Sequence, residues 1–439
     1  MDNRIVLIGA GSTSFGLGIV SDIFKSKVFE GCTIILHDVN KDALINTQNI
    51  VNKFKEINQI NVTIESIHSR KEALKNADFC IISIEVGNRF ELWEQDWRIP
   101  QQYGIKQVFG ENGGPGGMFH SMRIIPPILD ICDDISKICP DAFVFNYSNP
   151  MQRISHTVTT KYPDLKYTGL CHEIASMERH LPQILNTPFS NIEIIAGGLN
   201  HFSILVDAKF KDSGKDAYPE IRIKVHEYFN NYVNNHDGNE SKPGAERGVF
   251  FELFNRYNYL PITTDSHLGE YLQWAYSVAD HDGILEFYNN YKKKSQNFYD
   301  SEDKYDSFFD SDSKIINERI IPIMEGIVTD LNYEESAVNI PNQGFIEYLP
   351  DGIVVEVPGL ISKDGVSGIK IENYPKNFAS LLLNQVSVIE LTTEAILNQS
   401  RNIAFQALLA DPVVDNVGDA EKMLNTILNL QSPYLDYLQ

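Results

Sequence analysis

Arg4-Ile5-Val6-Leu7-Ile8-Gly9-Ala10-Gly11-Ser12 decides the fold. Four consecutive large aliphatic residues make a short strand that is apolar on both faces, and only a sheet covered on both sides hides such a strand. The glycines end it in a tight turn, and about Phe15 to Lys25 carries helical patterning. Thr33-Ile34-Ile35-Leu36-His37 is a second strand, ending on Asp38, and an amphipathic helix follows near Asp42 to Asn58. Asp78 to Ile84 is another apolar strand, Ile124 to Ile138 is helical, and Ala142 to Tyr147 is a further strand that runs into Ser148-Asn149-Pro150. Strands alternating with helices predict an α/β fold built on a Rossmann-type, doubly wound parallel sheet.

From about Asn191 the pattern changes. Ile192 to Ala196 and Phe202 to Lys209 alternate in the manner of antiparallel strands, and Asn230 to Gly244 is polar and loop-like. Helical patterns then dominate to about Lys314; Ile353 to Pro358 is a strand, and Phe378 to Leu397 and Ala420 to Leu430 are helices. The chain of 439 residues is long enough for two or three domains. The change of pattern sets the expected boundary near residue 195, with a mixed α+β, helix-rich second domain over 196–439.

A net charge of -22 argues against nucleic acid or an anionic membrane as partner, since both require a basic face. It leaves room for a small anionic substrate, because a few local arginines can read a carboxylate. Met1 lies too close to the first strand for a signal peptide, and no apolar run approaches the length of a membrane span. Five cysteines at irregular spacing, with no Cys-x-x-Cys pair, point to a reducing, cytoplasmic compartment without a disulfide framework.

Glycines after a first strand let backbone approach a pyrophosphate, and the helix that follows supplies free N–H groups. Here the string is Gly9-x-Gly11-x-x-Ser14, which lacks the third glycine and is weak alone. Asp38 strengthens it: a carboxylate at the tip of the second strand accepts from both ribose hydroxyls and repels a 2′-phosphate, which favours NAD over NADP. The bland alternative is a tight strand–helix turn beside a solvated Asp. Gly110-Glu111-Asn112-Gly113-Gly114-Pro115-Gly116-Gly117 precedes a helix and is expected to be irregular. It is either a close approach of backbone to nicotinamide or sugar, or a flexible loop.

Cys171 and His201 are soft ligands thirty residues apart, each expected at the end of a strand. A thiolate and an imidazole can hold a divalent transition metal and leave positions open for substrate oxygens. The spacing is unspecific, since a buried Cys is usually a small apolar residue and a lone His a structural one. Thr263 to Tyr271 gathers Asp265, His267, Glu270 and Tyr271. One of them could remove a carbon-bound proton; equally, Asp265 or Ser266 could cap a helix.

Several motifs in order carry a resemblance. They are Ile8-Gly9-Ala10-Gly11-Ser12, Gly114-Pro115-Gly116-Gly117, Asn146-Tyr147-Ser148-Asn149-Pro150-Met151, Gly169-Leu170-Cys171-His172-Glu173, Gly198-Leu199-Asn200-His201, Val338 to Gly344 and Val355-Glu356-Val357-Pro358. Together they resemble glycoside hydrolase family four, the NAD- and divalent-metal-dependent glycosidases, a named exception to the two-carboxylate mechanism. The resemblance runs nearly end to end and implies an architecture like that of lactate and malate dehydrogenases. It implies that Gly9, Ala10, Gly11, Ser12, Asp38 and Asn146 bind NAD in residues 1–195. It places Cys171 and His201 on a metal, commonly Mn2+, and Asn149 on the sugar. His172 becomes the general acid, Asp265 the base and Tyr271 the second choice for the base. Residues 196–439 would carry substrate, metal and oligomer contacts, the family forming dimers or tetramers.

The chemistry implied is oxidation at C3 by NAD, removal of the C2 proton, elimination at C1, addition of water and return of the hydride. The motifs Cys171-His172-Glu173, Asn200-His201-Phe202, Pro341-Asn342-Gln343-Gly344 and Phe405-Gln406-Ala407 look most like the α-galacturonidase branch. An α-uronide is therefore the favoured substrate, with Arg153 or Arg247 pairing its carboxylate and His267 beside it. The alternatives are a neutral α-galactoside or α-glucoside cleaved in the same way, or a plain NAD-dependent dehydrogenase. Glu111-Asn112-Gly113 and His120 depart from the Asp-Thr and Arg common in the family, which marks sugar preference as unusual.

Overall fold

A computed structural model describes residues 3–11, 13–233, 241–297 and 318–439. Six strands, β1 (Arg4–Ile8), β2 (Thr33–His37), β3 (Thr63–Ser66), β4 (Phe79–Ile82), β5 (Phe143–Asn146) and β6 (Lys166–Gly169), lie parallel in the order β3-β2-β1-β4-β5-β6. This is a doubly wound sheet whose winding reverses between β1 and β4, where such sheets open a crevice at the strands' carboxyl ends. Alternation sorts the strand residues between two cores. Ile5, Leu7, Ile34, Leu36 and Ile81 face one side of the sheet, and Val6, Ile8, Ile35, Cys80 and Ile82 face the other.

The sheet continues beyond β6. Strands β7 (Ile192–Leu199), β8 (Phe202–Phe210), β9 (Leu260–Pro261), β10 (Tyr333–Pro341), β11 (Val354–Ser362) and β12 (Gly365–Gly368) extend it antiparallel, in the order β6-β10-β11-β7-β8-β9, with β12 on β11. The joints are single residue pairs, Asn339 with Gly169 and Glu356 with Gly198. Residue 195 falls inside β7, beside a register shift. Helices Lys376–Leu397, Arg401–Ala410 and Val417–Leu430 return to the first half, where Ile396, Leu408 and Ile427 join the core under the Gly114–Ile138 helix.

The glycine-rich stretch corrects an expectation. Gly114 to Gly117 are not irregular; they are the first turn of the Gly114–Ile138 helix. Pro115 presets the backbone at the helix start. Gln107 Oε1 accepts the Gly116 N–H at 3.0 Å, which supplies one of the partners that a first turn lacks. The turn needs glycine because a Cβ on Gly116 would lie 2.7 Å from the Asp96 carbonyl oxygen. The loop expected over Asn230 to Gly244 begins at the end of the Tyr218–Asn231 helix, and its residues 234–240 lie outside the described ones. The helical pattern expected to Lys314 is described only through Asn297. No described helix is long and apolar enough to cross a membrane.

Candidate active site

The turn after β1 is built for close approach. Gly9 has φ of 93°, and a Cβ there would collide with the Ser83 carbonyl oxygen just past β4. The Gly9 and Ala10 N–H groups both donate to His37 O, at 3.0 and 3.1 Å. The Gly11 N–H donates to Asp38 Oδ2 at 2.8 Å, and a Cβ on Gly11 would stand 2.7 Å from that oxygen. The other Asp38 oxygen accepts from the Asn40 N–H at 2.8 Å. Asp38 thus fixes the glycine turn while staying half-buried at the strand tip, where a ribose would lie. Ser12 lies outside the described residues. Asn146 is fully buried, and it donates to Ser148 O at 3.1 Å and accepts from the Ser148 N–H at 3.2 Å. Its amide shapes the turn that presents half-buried Asn149.

Cys171 and His201 meet. Cys171 Sγ lies 3.2 Å from His201 Nε2. Typical metal bonds of about 2.3 Å to thiolate and about 2.1 Å to imidazole, set at a right angle, span about 3.1 Å, so the pair fits one ion. Among the described residues no group of three or more His, Cys, Asp or Glu forms a metal-ligating cluster. Two protein donors leave coordination open, as a catalytic ion requires. Burial, then Glu173 and Glu356, push the Cys171 thiol well above its ordinary range. Burial and His267 push His201 well below its own, which keeps the imidazole neutral and able to ligate.

The segment carrying His201 is held from two sides. Asn200 Nδ2 donates to Glu356 Oε2 at 2.7 Å, and Asn339 Nδ2 reaches the same oxygen at 3.3 Å. Gln152 accepts the Asn200 N–H at 3.2 Å and donates to Val354 O at 2.6 Å. Glu356 and Gln152 thus orient the ligand without touching it. The sequence did signal Glu356, a carboxylate in the middle of an apolar strand, which requires a buried polar partner.

His172 lies against the Tyr147 ring, tilted by 31° with ring centres 5.4 Å apart, and its Nε2 lies 2.6 Å from Glu318 Oε2. Burial lowers its pKa, but the Glu318 carboxylate outweighs burial and the net direction is upward. That favours a proton held at Nε2, in keeping with an acid. Nothing in the sequence pointed to Glu318, which stands 146 residues away.

Asp265 is bound to backbone amides. It has no exposed surface, and it accepts from the Gly248 and Asp280 N–H groups through Oδ2, at 2.8 and 3.0 Å, and from the Phe250 N–H through Oδ1 at 3.0 Å. Two of these donors belong to the first turn of the Gly248–Tyr257 helix. Asp265 therefore anchors the start of a neighbouring helix. Tyr271 is better placed: its OH donates to Asn200 O at 3.4 Å, beside His201, and its ring stacks on Phe202 at 5.3 Å. Burial, then Glu270, push its pKa well up, and Arg153 pulls the other way. His267 stacks on His201 at 4.8 Å with Nε2 3.6 Å from Glu173.

The two arginines differ. Arg153 is buried beneath the site, with one contact to Gly114 O at 3.4 Å, and Asp411 and Tyr271 act on it electrostatically. Its Nη2 is buried without a hydrogen bond, and it acts electrostatically on Tyr271. Arg247 lies across the Phe229 and Phe250 rings, 4.5 and 4.8 Å from their centres. It lines a cavity of about 300 Å³ together with His172, Glu173, His180, His267 and Tyr291.

Residues 4–187 match the model of a family 4 glycosyl hydrolase, and residues 196–414 match its C-terminal domain. An alpha-glucosidase of Erwinia rhapontici is 47% identical over 464 residues, covering 100% of both chains. An alpha-galacturonidase of Thermoanaerobacterium saccharolyticum is 31% identical, over 99% of this chain and 97% of its own. Among solved structures, a 6-phospho-alpha-glucosidase from gut microorganisms, in complex with NAD and Mn2+, superposes with a TM-score of 0.83 at 19% identity, covering 98% of each chain. A malate dehydrogenase of Cryptosporidium parvum shares the fold more loosely, with a TM-score of 0.52 at 14% identity over 91% of this chain and 100% of its own. The dehydrogenase-like architecture, the paired motifs and both family models agree, and the chain belongs to glycosyl hydrolase family 4.

Proposed function

We propose that this enzyme hydrolyses a non-phosphorylated, neutral α-glycoside of the α-glucoside class, using NAD and a divalent metal such as manganese. The observation that carries the proposal is the 3.2 Å approach of Cys171 Sγ and His201 Nε2 beside the Tyr271 hydroxyl, in a chain that opens on a nucleotide turn. The 47% identity to an alpha-glucosidase supports the neutral sugar over the uronide that motifs alone favour. When bound, NAD would exchange a hydride with the sugar's C3 and the metal would draw electron density from the oxygens beside C2.

The chain's own residues supply the rest. Gly9 and Gly11 clear space for a pyrophosphate, and Asp38 stands at the ribose position. Cys171 and His201 hold the metal, and Asn149 orients the sugar. Tyr271 is placed to take the C2 proton, and Arg153 beneath it opposes the burial and the Glu270 carboxyl that raise its pKa. His172, whose pKa Glu318 raises, gives its proton to the departing oxygen. We assign nucleotide binding to residues 1–195, and substrate binding with the contacts of a homodimer or homotetramer to 196–439. A free thiol ligand suits a reducing, cytoplasmic compartment.

A second reading keeps the α-uronide. Arg247 supports it: the guanidinium lines the cavity, and among the described residues its one hydrogen bond goes to the Glu246 carbonyl, at 3.1 Å. Release of p-nitrophenol from α-glucoside, α-galactoside and α-galacturonide, with and without NAD, manganese and reductant, tests both readings. Turnover independent of NAD and metal sinks the proposal, and a preference for the uronide selects the second reading. Changing Cys171 to Ser should abolish manganese-dependent turnover and leave NAD affinity, read by fluorescence titration, within about twofold.

A further inference from the structure

The loop Glu111-Asn112-Gly113 is fixed by a buried carboxylate. Glu270, with no exposed surface, accepts the Glu111 N–H at 2.5 Å, the Asn112 N–H at 3.0 Å and the Gly113 N–H at 3.1 Å. The loop also lies on the Tyr271 ring, since a Cβ on Gly113 would stand 2.8 Å from Tyr271 Cε1. Its backbone therefore has no freedom to follow a side chain. Yet the Asn112 side chain has nothing to bind. Asn112 is 3% exposed, and neither Oδ1 nor Nδ2 has a hydrogen-bond partner. An amide that is buried with both ends unpaired costs free energy that a native fold normally avoids, and such a group marks a position where a ligand or water completes the bonding.

His120 adds a second such group. Its Nδ1 is tied to Glu111 O at 3.0 Å, while Nε2 is buried without a hydrogen bond, 3.4 Å from Glu85 Oε1. The surrounding charge is mainly negative. Glu111 and Glu85 share one cation, Arg89, at 2.8 and 3.6 Å. Glu111 acts electrostatically on both His267 and Tyr271, which places its charge beside the reacting end of the site.

We propose that Asn112, held by Glu270 and flanked by Glu111 and His120, reads hydroxyl groups of the sugar in a subsite that admits neutral sugars and turns away anionic ones. This rests on the neutral-glycoside function proposed above. A sugar hydroxyl both donates and accepts, so one hydroxyl or two adjacent ones satisfy both ends of the amide. A uronate or phosphate placed at Asn112 would meet the Glu111 and Glu85 carboxylates, whose shared guanidinium, Arg89, is already paired with both, and like charge would disfavour it.

The experiment compares wild type with Asn112→Ala and Asn112→Asp in the NAD- and manganese-loaded enzyme. Asn112→Asp keeps the shape of the side chain if alanine disturbs the loop. KM for p-nitrophenyl α-glucoside should rise at least tenfold in both variants, with a smaller change in kcat and NAD affinity within twofold. Glu111→Gln should raise kcat/KM for α-galacturonide relative to α-glucoside about tenfold. Wild-type turnover of the glucoside with KM unchanged in both Asn112 variants overturns the subsite alone, as does an unchanged substrate ratio in Glu111→Gln. Absence of NAD-dependent wild-type turnover on every neutral α-glycoside overturns the parent function, and this subsite with it.

Discussion

Asp265→Asn separates a structural anchor from a base. The carboxylate serves three backbone N–H groups, two through Oδ2 and one through Oδ1. An asparagine can turn its oxygen toward Gly248 and Asp280, but its NH2 then faces the Phe250 N–H, donor against donor. One buried donor is orphaned, which costs about 1–3 kcal/mol. Relief from burying a charge offsets part of this, because burial already raises the Asp265 pKa. A net loss of about 2 kcal/mol is expected, and Asp265→Ala, which orphans all three, should lose about 4 kcal/mol. Differential scanning fluorimetry should show a Tm several degrees lower for Asn and lower again for Ala. The proton-transfer step should survive: below that Tm, Asp265→Asn should still place solvent deuterium at C2 of the released sugar, within tenfold of the wild-type rate. Tyr271→Phe should lose that exchange by about 10²–10⁴-fold. An Asp265→Asn enzyme with unchanged Tm and exchange lost more than a hundredfold would refute the anchor and restore Asp265 as the base.

Three further outcomes follow from the same geometry. Gly11→Ala pushes a methyl to within 2.7 Å of Asp38 Oδ2, so NAD affinity should fall at least tenfold with little change in Tm; equal affinity by fluorescence titration would remove the turn from the nucleotide site. Glu318→Gln should move the alkaline limb of kcat/KM to lower pH: Glu318 is what raises His172 against burial, and the acid form is lost as pH rises through that pKa. A limb that stays put argues against His172 as the acid. Glu270 is pushed up to about 8, chiefly by burial, from an unfolded value near 4.5. Between those values the folded chain keeps a proton that the unfolded chain releases, so stability should fall with rising pH by as much as about 1.4 kcal/mol per unit. Glu270→Gln should flatten that slope in Tm measured from pH 5 to 9, and an equal slope in both proteins would contradict it.

The parallel half of the sheet was legible because its strands are apolar on both faces and punctuated by glycine. Ile5 and Leu7 could go to one core and Val6 and Ile8 to the other only inside a covered sheet. Strand β10 escaped notice because Glu334, Glu335 and Asn339 interrupt its apolar pattern. Two of these are buried with partners that no local window contains: Glu335 takes a two-point contact from Arg319 at 2.9 and 2.6 Å, and Asn339 binds Glu356. A polar residue in a strand looks like a loop residue until its partner is known.

The site divides along the same line. Cys171 and His201 were suspected as ligands by type, but thirty residues of chain do not say that they meet. They meet because Gly169, Asn339, Glu356 and Gly198 form one register row across β6, β10, β11 and β7, so the residues just past β6 and in the turn between β7 and β8 leave the sheet at the same level. Asp265 shows the opposite limit. A carboxylate beside His267 and Tyr271 has the composition of a base, yet its function depends on where its two oxygens point. Donors at Gly248, Phe250 and Asp280, fifteen to seventeen residues away, decide that direction. Glu270 is a buried carboxyl of the same segment, also bound to backbone N–H groups, but its donors lie on the loop Glu111-Asn112-Gly113, whose Gly113 packs on the Tyr271 ring. One carboxylate fixes a helix behind the site and the other fixes the loop that forms its wall, and the difference lies wholly in which amides each one faces.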